Sequence, residues 1–175
     1  MKINTRNLIT AAIIGALYAV LTMVLAPISY GALQFRVSEV LCILPFFMPY
    51  TAWGLFIGCI VANLMSTAGI LDVVFGSLAT LITCLCIAWC GIMGNTLKTR
   101  LIACFMPVIW NGLIVGATLT IALAGLNPLK EVGAFLIYAG QVALGELGVM
   151  YVIGLPLMTY LPKQRFFSEF VDKHS

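Results

Sequence analysis

Apolar runs long enough to cross a membrane make up most of this sequence, and short polar segments separate them. A helix of about 20 apolar residues spans the hydrocarbon core of a bilayer. The runs lie at residues 8–26, 40–65, 72–93, 101–123 and 132–157. Only 9% of the residues are charged, whereas soluble domains carry roughly 25%. We therefore predict one all-α integral membrane domain over residues 1–175, with space for about five or six crossings and for no soluble domain.

The residue types that enzymes and metal sites need are scarce. The only histidine, His174, lies in the tail, and the sequence has no G-x-x-x-x-G-K phosphate loop. The basic residues lie at the ends of apolar runs, where membrane topology explains them. The six cysteines all lie inside apolar runs and fit small apolar fillers better than disulfide or metal ligands: Cys42, Cys59, Cys84, Cys86, Cys90 and Cys104. We therefore expect no enzyme activity, no metal, no cofactor bound by this chain and no nucleic-acid partner.

The run from residue 40 to residue 65 crosses the membrane either once or twice, because Pro45 and Pro49 interrupt it. With a cytoplasmic N-terminus, the loop that carries Lys98 and Arg100 is cytoplasmic only after an even number of crossings. Two short helices meet that condition, although at 1.5 Å per residue they rise only about 15 to 25 Å each. The predicted helices are therefore 8–26, 38–48, 50–66, 72–93, 101–123 and 132–157, followed by a polar cytoplasmic tail at 162–175.

The distribution of the nine basic residues favours six transmembrane helices with both termini in the cytoplasm. Lys and Arg accumulate in cytoplasmic loops. This arrangement places most of them inside: Lys2, Arg6, Lys98, Arg100, Lys163, Arg165 and Lys173. Only Arg36 and Lys130 then lie outside.

Polar side chains within the apolar runs are the candidates for a binding site. A charged side chain at the centre of a span costs about 2.5 to 3.5 kcal/mol on insertion scales, so each one points to function. Three of them, Arg36, Glu39 and Asp72, map to the outer side, and Glu146 lies in the middle of the last span. The uncharged candidates lie in the same half of the predicted bundle: Asn63, Asn111, Tyr138 and Gln141. This composition is typical of a pocket for a small polar, flat or cationic molecule.

Structural roles are the alternatives for most of these residues. Asp72 precedes a helix and is a candidate N-cap. Arg36 and Glu39, at i and i+3, are candidates for mutual neutralisation. The amides of Asn63 and Asn111 are candidates for hydrogen bonds between helices. Glu146 fits a structural role least, since its span contains no basic residue.

Small residues form two adjacent strips on the first helix. One strip consists of Ala12 and Ala16, and the other of Ala11, Gly15 and Ala19. Small residues four apart let another helix approach closely. The strips therefore predict either packing inside the bundle or docking to a separate membrane subunit.

Four segments carry a resemblance to a known family. They are QFRVSEVLCILP at 34–45, NLMSTAGILDVVFGSLATL at 63–81, Trp110-Asn111 followed by Val115-Gly116, and Gly145-Glu146. Together they resemble the QueT-type queuosine-precursor transporters, which are substrate-binding S components of energy-coupling factor (ECF) transporters. The resemblance covers nearly the whole chain.

The resemblance implies a six-helix S-component bundle in a prokaryotic plasma membrane, with a pocket open to the outside. It implies that Ala12 and Ala16 contact the transmembrane coupling subunit of the transporter. It also implies that two cytoplasmic ATPases hydrolyse the ATP. The implied substrate is a 7-deazaguanine such as preQ1, preQ0 or queuine.

This substrate chemistry fits the candidate residues. The N1–H and 2-amino donors of a deazaguanine suit one carboxylate, and an aminomethyl cation needs a second acceptor. Glu39 and Glu146 are expected to divide these tasks, while an amide or Arg36 addresses the O6 acceptor and one of three aromatic residues stacks on the ring: Tyr138, Phe75 or Trp110. Two alternatives stay open: an S component for another vitamin, such as thiamine or riboflavin, and a stand-alone carrier that uses Glu146 as a proton site.

Overall fold

The computed structural model describes residues 4–30 and 34–172, and all regular structure in these two ranges is helical. The α-helices are α1 Thr5–Val24, α2 Ala26–Ser29, α3 Thr51–Asn63, α4 Ser77–Ile92, α5 Leu97–Ala122, α6 Val132–Val149, α7 Leu155–Tyr160 and α8 Arg165–Asp172. Two 3-10 helices, Val37–Phe46 and Leu161–Lys163, and two π-helical turns, Asp72–Gly76 and Met150–Gly154, lie between them.

Four continuous helical segments are long and apolar enough to cross a membrane: Thr5–Val24, Asp72–Ile92, Leu97–Ala122 and Val132–Lys163. Two shorter apolar helices, Val37–Phe46 and Thr51–Asn63, occupy the region that Pro45 and Pro49 interrupt. The prediction of an all-helical membrane fold is confirmed. Six crossings with cytoplasmic termini stay a prediction, and two of the basic residues behind it, Lys2 and Lys173, lie outside the described residues, as does His174.

The first short helix differs from an α-helix in a way that eases its length problem. Val37–Phe46 is a 3-10 helix of 10 residues with Pro45 inside it. A 3-10 helix rises about 2.0 Å per residue, so this segment reaches about 20 Å, against about 15 Å for an α-helix of the same length. The 3-10 geometry therefore brings the segment closer to the thickness of the hydrocarbon core.

Helices α1 and α3 pack backbone to backbone. A Cβ atom added to Gly15 would overlap the Gly54 carbonyl, one added to Gly54 would overlap the Ala11 carbonyl, and one added to Gly58 would overlap the Gly15 carbonyl. Ala11, Gly15 and Ala19 are buried in this contact. The second small-residue strip therefore packs inside the bundle.

We expect Gly54→Ala to destabilise the protein by about 1 to 3 kcal/mol, because overpacking against backbone atoms forces the two helices apart. Gly140→Ala is the matched control, since Gly140 lies in α6 and nothing lies within 4 Å of an added Cβ. Alanine favours a helix over glycine by about 1 kcal/mol, so the control should keep or raise stability. Thermal unfolding in detergent measures both, and equal midpoints for the two variants would contradict the packing argument.

The C-terminal helix α8 lies against the beginning of the bundle. Its apolar residues Phe167, Phe170 and Val171 pack on a cluster that contains Ala11 of α1 and Met48 and Tyr50 of the turn before α3. This contact places the C-terminal segment at the same end of the molecule as the first half of α1. All six cysteines are free thiols, and all but Cys86 are buried.

Candidate binding site

A buried ion pair links the segment before the first 3-10 helix to the turn before α4. Arg36 Nη2 lies 2.9 Å from Asp72 Oδ2, and the two side chains are 3% and 0% exposed. Ser66 Oγ donates to the same carboxylate oxygen at 2.6 Å. The guanidinium also lies 5.8 Å from the ring centroid of Tyr30, a geometry that favours a cation over an aromatic face. The guanidinium of Arg36 therefore interacts both with the carboxylate of Asp72 and with the aromatic ring of Tyr30.

This ion pair decides two of the alternatives that the sequence leaves open. Asp72 makes no side-chain capping bond, and Leu71 occupies the N-cap position of its π-helical turn. Within residues 4–30 and 34–172, Arg36 forms its salt bridge with Asp72 and not with Glu39. The N-cap interpretation of Asp72 is therefore wrong, and the salt-bridge partner of Arg36 is Asp72 and not Glu39, because tertiary packing brings a carboxylate 36 residues away to the guanidinium.

Glu39 lies in the first turn of the 3-10 helix Val37–Phe46 and is fully buried. The hydroxyl of Tyr18 donates a hydrogen bond to Oε1 of Glu39. The thiol of Cys42 donates to Oε2 at 3.1 Å. Both carboxylate oxygens of Glu39 therefore have a donor from the protein itself.

Glu146 and Asn111 form a second buried pair between α6 and α5. Asn111 Nδ2 donates to Glu146 Oε1 at 2.7 Å, and the two residues are 3% and 2% exposed. Glu146 Oε2 and Asn111 Oδ1 have no hydrogen-bond partner in the part of the chain that the structure describes. Helices α5 and α6 both contact the 3-10 helix Val37–Phe46, which carries Glu39 and follows Arg36 directly. The structure therefore brings the two pairs into one polar cluster.

Asn63, at the end of α3, joins this cluster through the π-helical turn. Its Nδ2 donates to the backbone oxygen of Asp72 at 2.9 Å and reaches Ser77 Oγ at 3.3 Å. These bonds agree with the interhelical role that the sequence allows for an asparagine in a span. Its Oδ1 nevertheless has no partner. π-Helical turns inside helices frequently mark functional sites, and this one begins at Asp72.

Buried acceptors without donors are the main chemical property of the cluster. Five such oxygens belong to residues that the sequence predicts for the site: Asn63 Oδ1, Asp72 Oδ1, Asn111 Oδ1, Gln141 Oε1 and Glu146 Oε2. Amide oxygens and ionised carboxylates accept hydrogen bonds and cannot donate them. Buried polar atoms of this kind are rare in folded proteins. The cluster is therefore suited to a ligand rich in N–H groups, and to a cation more than to an anion.

Tyr138 and Gln141 lie on α6 before Glu146 and are only half-buried. Tyr138 packs against an apolar cluster that includes Val115 and Leu119 of α5. Within the described part of the chain, no hydrogen bond joins either residue to Glu39 or Glu146. The structure therefore places both residues on the same helix as Glu146, without a hydrogen bond to the carboxylates among the described residues.

Tyr18 is a member of the cluster that is not among the residues predicted from sequence. Tyr18 is fully buried in the bundle. A signal for this was present, because Tyr18 lies seven residues after Ala11 and three after Gly15, on the buried face of α1. Ser66 and Cys59, which contact Asp72 and Tyr18, were missed as well.

A separate groove lies on the outside of α1 and α3. It has a volume of about 480 Å³ and only small or apolar lining residues, among them Ala12, Ala16, Val20 and Trp53. Ala12 and Ala16 are exposed, in contrast to the buried strip of Ala11, Gly15 and Ala19. Both strips border the groove, but they differ in exposure: Ala11, Gly15 and Ala19 are buried beside α3, whereas Ala12 and Ala16 are exposed.

Apolar helices that enclose ionisable side chains are typical of membrane transport proteins, because such side chains persist in a bilayer only where they act on a solute or an ion. A family model described as QueT transporter matches residues 8–163. The chain belongs to this family, as the resemblance indicates.

One curated relative is the queuosine precursor transporter QueT of Lactococcus lactis subsp. cremoris, which is 43% identical over 83 residues. That match covers 46% of this chain and 48% of the relative, so the chain spans about half the length of the curated relative it matches. No solved structure matches the chain.

Proposed function

We propose that this chain is the substrate-binding membrane subunit of an ECF-type ABC importer that takes up a queuosine precursor from outside the cell. The observation that carries the proposal is a set of five buried acceptor oxygens that have no donor among the described residues, two of which belong to the carboxylates of Asp72 and Glu146. A 7-deazaguanine brings several N–H donors on one edge of a flat ring, which is what such a set of acceptors binds. Membership of the QueT transporter family supports the same substrate class.

The proposed contacts follow from which atoms are still available. Glu146 Oε2 and Asn111 Oδ1 belong to hydrogen-bonded neighbours and would accept two adjacent N–H groups. Arg36 uses Nη2 for Asp72 and keeps other N–H groups for the O6 acceptor of the ligand. Tyr138 would stack on the ring from α6, and Gln141 would accept at its edge. Asn63, Asp72 and Glu39 complete the proposed substrate-binding residues.

The proposed partners are a transmembrane coupling subunit and two cytoplasmic ATPases that hydrolyse ATP, so that this chain needs no cofactor of its own. The exposed strip of Ala12 and Ala16 in its apolar groove supports a docking surface for the coupling subunit. The contact of α8 with the beginning of α1 supports an even number of crossings. We therefore propose six crossings in a prokaryotic plasma membrane, with both termini in the cytoplasm.

Direct titration of the detergent-purified protein tests the substrate. Saturable binding of a deazaguanine, without binding of thiamine or riboflavin, is the expected result. Binding of one of those vitamins alone would replace the proposed substrate and keep the class of protein. Uptake driven by a proton gradient in liposomes that contain this protein alone would instead establish a secondary carrier, for which the free Oε2 of Glu146 is the candidate proton site.

Glu146→Gln should weaken the binding of an aminomethyl deazaguanine by about 1.5 to 3 kcal/mol, or roughly 10- to 150-fold in Kd, because it removes a charge-assisted hydrogen bond. Glu131→Gln is the matched control: the same substitution at an exposed residue just before the same helix. Isothermal titration measures both variants. Equal affinities for Glu146→Gln and wild type would remove Glu146 from the site.

A further inference from the structure

The geometry points to Tyr18 as a positioning residue that determines specificity. Its hydroxyl donates a hydrogen bond to Glu39 and keeps that carboxylate bound within the protein. Glu146 is then the one carboxylate that receives a cationic ligand. The inference rests on the proposed function and departs from an equal division of tasks between Glu39 and Glu146. It gives α1 a part in ligand selection through a residue on its buried face.

The hydrogen bonds of the two carboxylates carry this inference. Glu39 has a protein donor on each oxygen, Tyr18 on Oε1 and Cys42 on Oε2. Glu146 has one donor, Asn111 on Oε1, and its Oε2 has none. A ligand that offers N–H groups therefore finds one carboxylate oxygen of Glu146 without any protein donor, whereas each oxygen of Glu39 already accepts one hydrogen bond from the protein.

Tyr18 is well placed to keep Glu39 in this state. Its side chain is fully buried, and its hydroxyl also lies 3.6 Å from Cys59 Sγ, which is a longer and weaker contact than the one to Glu39. Next to it on α1, Thr22 Oγ1 lies 2.6 Å from Ser38 Oγ, the residue before Glu39. Two polar contacts thus fasten α1 to the start of the 3-10 helix.

The charges of the cluster explain why the number of free carboxylates matters. Arg36 is paired with Asp72, so no second cation within the described part of the spans neutralises Glu39 and Glu146. A ligand with one positive charge is selected best when one carboxylate is vacant and the other is held away from it by protein donors. The ligand class is therefore a flat, donor-rich amine with a single positive charge.

The first test compares two ligands of the same ring, an aminomethyl deazaguanine, which is a cation, and a cyano deazaguanine, which is neutral. The quantity measured is the ratio of their Kd values. Glu146→Gln should lower the preference for the cation by about tenfold or more, whereas Glu39→Gln should change it by less than about twofold. An equal loss of preference in both variants would overturn the inference.

The second test releases Glu39. In Tyr18→Phe the carboxylate loses its donor on Oε1, so Glu39 becomes available to the ligand. The double variant Tyr18→Phe with Glu146→Gln should therefore prefer the cationic ligand about threefold or more over what Glu146→Gln alone shows, measured as the ratio of the two Kd values. A structural role of Tyr18 alone predicts no such recovery, and a double variant as unselective as Glu146→Gln would contradict the inference.

A measurement without ligand separates failure of this inference from failure of the proposed function. Thermal midpoints of Tyr18→Phe, Glu39→Gln and their combination form a double-mutant cycle for the hydrogen bond itself. We expect the combined variant to lose clearly less stability than the two single losses added together. If the stability losses of Tyr18→Phe and Glu39→Gln simply add in the combined variant, the role of Tyr18 is overturned, whatever the substrate is. A wild-type protein that binds no deazaguanine would instead overturn the proposed function. Should Tyr18→Phe not fold, the comparison of Glu39→Gln with Glu146→Gln still decides between the two carboxylates.

Discussion

Arg36→Met is expected to lower the free energy of unfolding by about 3 to 5 kcal/mol, because it leaves the buried carboxylate of Asp72 without its counter-charge. Asp72 is 0% exposed, and among residues 4–30 and 34–172 its only other side-chain donor is Ser66. The loss should be recovered in large part by the double variant Arg36→Met with Asp72→Leu, since replacing a whole buried pair by apolar side chains is often neutral. Chemical or thermal unfolding in detergent measures the series.

A second ion pair of this chain provides the control. Arg165 and Glu169 pair on α8 at 3.2 Å, but their side chains are 94% and 57% exposed. Water screens an exposed pair, so Arg165→Met should leave the unfolding midpoint nearly unchanged. If Arg36→Met were no more destabilising than Arg165→Met, the ion pair with Asp72 would have no part in holding the cluster together.

Ala16→Trp is expected to abolish ATP-dependent uptake while leaving substrate affinity unchanged. Ala16 is exposed in the groove on α1 and α3, on a different face of α1 from the buried face that carries Tyr18. An indole there fills the space that the coupling subunit would need, because docking over small residues requires close approach of two backbones. Uptake into liposomes that contain the assembled transporter measures the first effect, and titration of the isolated subunit measures the second.

Ile13→Trp is the matched control for this experiment. Ile13 lies on the same helix and is 63% exposed, but it does not line the groove. Uptake should therefore persist in Ile13→Trp. Normal uptake by Ala16→Trp would show that the coupling subunit docks elsewhere, and loss in both variants would indicate a general effect of tryptophan on α1.

The fold class followed from the sequence because hydropathy acts over whole helices and is insensitive to detail. The ion-pair and hydrogen-bond partners of individual side chains could not be predicted from sequence, because they depend on packing between helices. Arg36 illustrates this: Glu39, three residues later in the sequence, was one candidate partner, yet the structure places Asp72 at the guanidinium. Glu146 was a strong candidate from sequence for a reason that packing does not change, since a carboxylate without a basic residue in its span needs an explanation wherever it lies.

The two strips of small residues show the same limit. Both have the spacing that permits close helix contact, so spacing alone cannot assign one to the interior and the other to the surface. The contact of Gly15 with Gly54 makes that assignment. Tyr18 was not predicted as a site residue because an aromatic residue in an apolar run fits a lipid-facing position as well as a buried one. Only the buried strip of small residues beside it distinguishes a buried from a lipid-facing position.

The 3-10 helix Val37–Phe46 also sets how this region can change during evolution. With three residues per turn, residues three apart lie in a straight row along the helix. Glu39, Cys42 and Pro45 form one buried row, Val40, Ile43 and Phe46 form a second, and Leu41 and Leu44 belong to a third row that is partly exposed. Inserting or deleting one residue at the start of the helix would rotate the three rows by one position and turn Glu39 away from Tyr18. Substitutions within a row preserve this register, so we expect relatives of this protein to vary here in residue type but not in length.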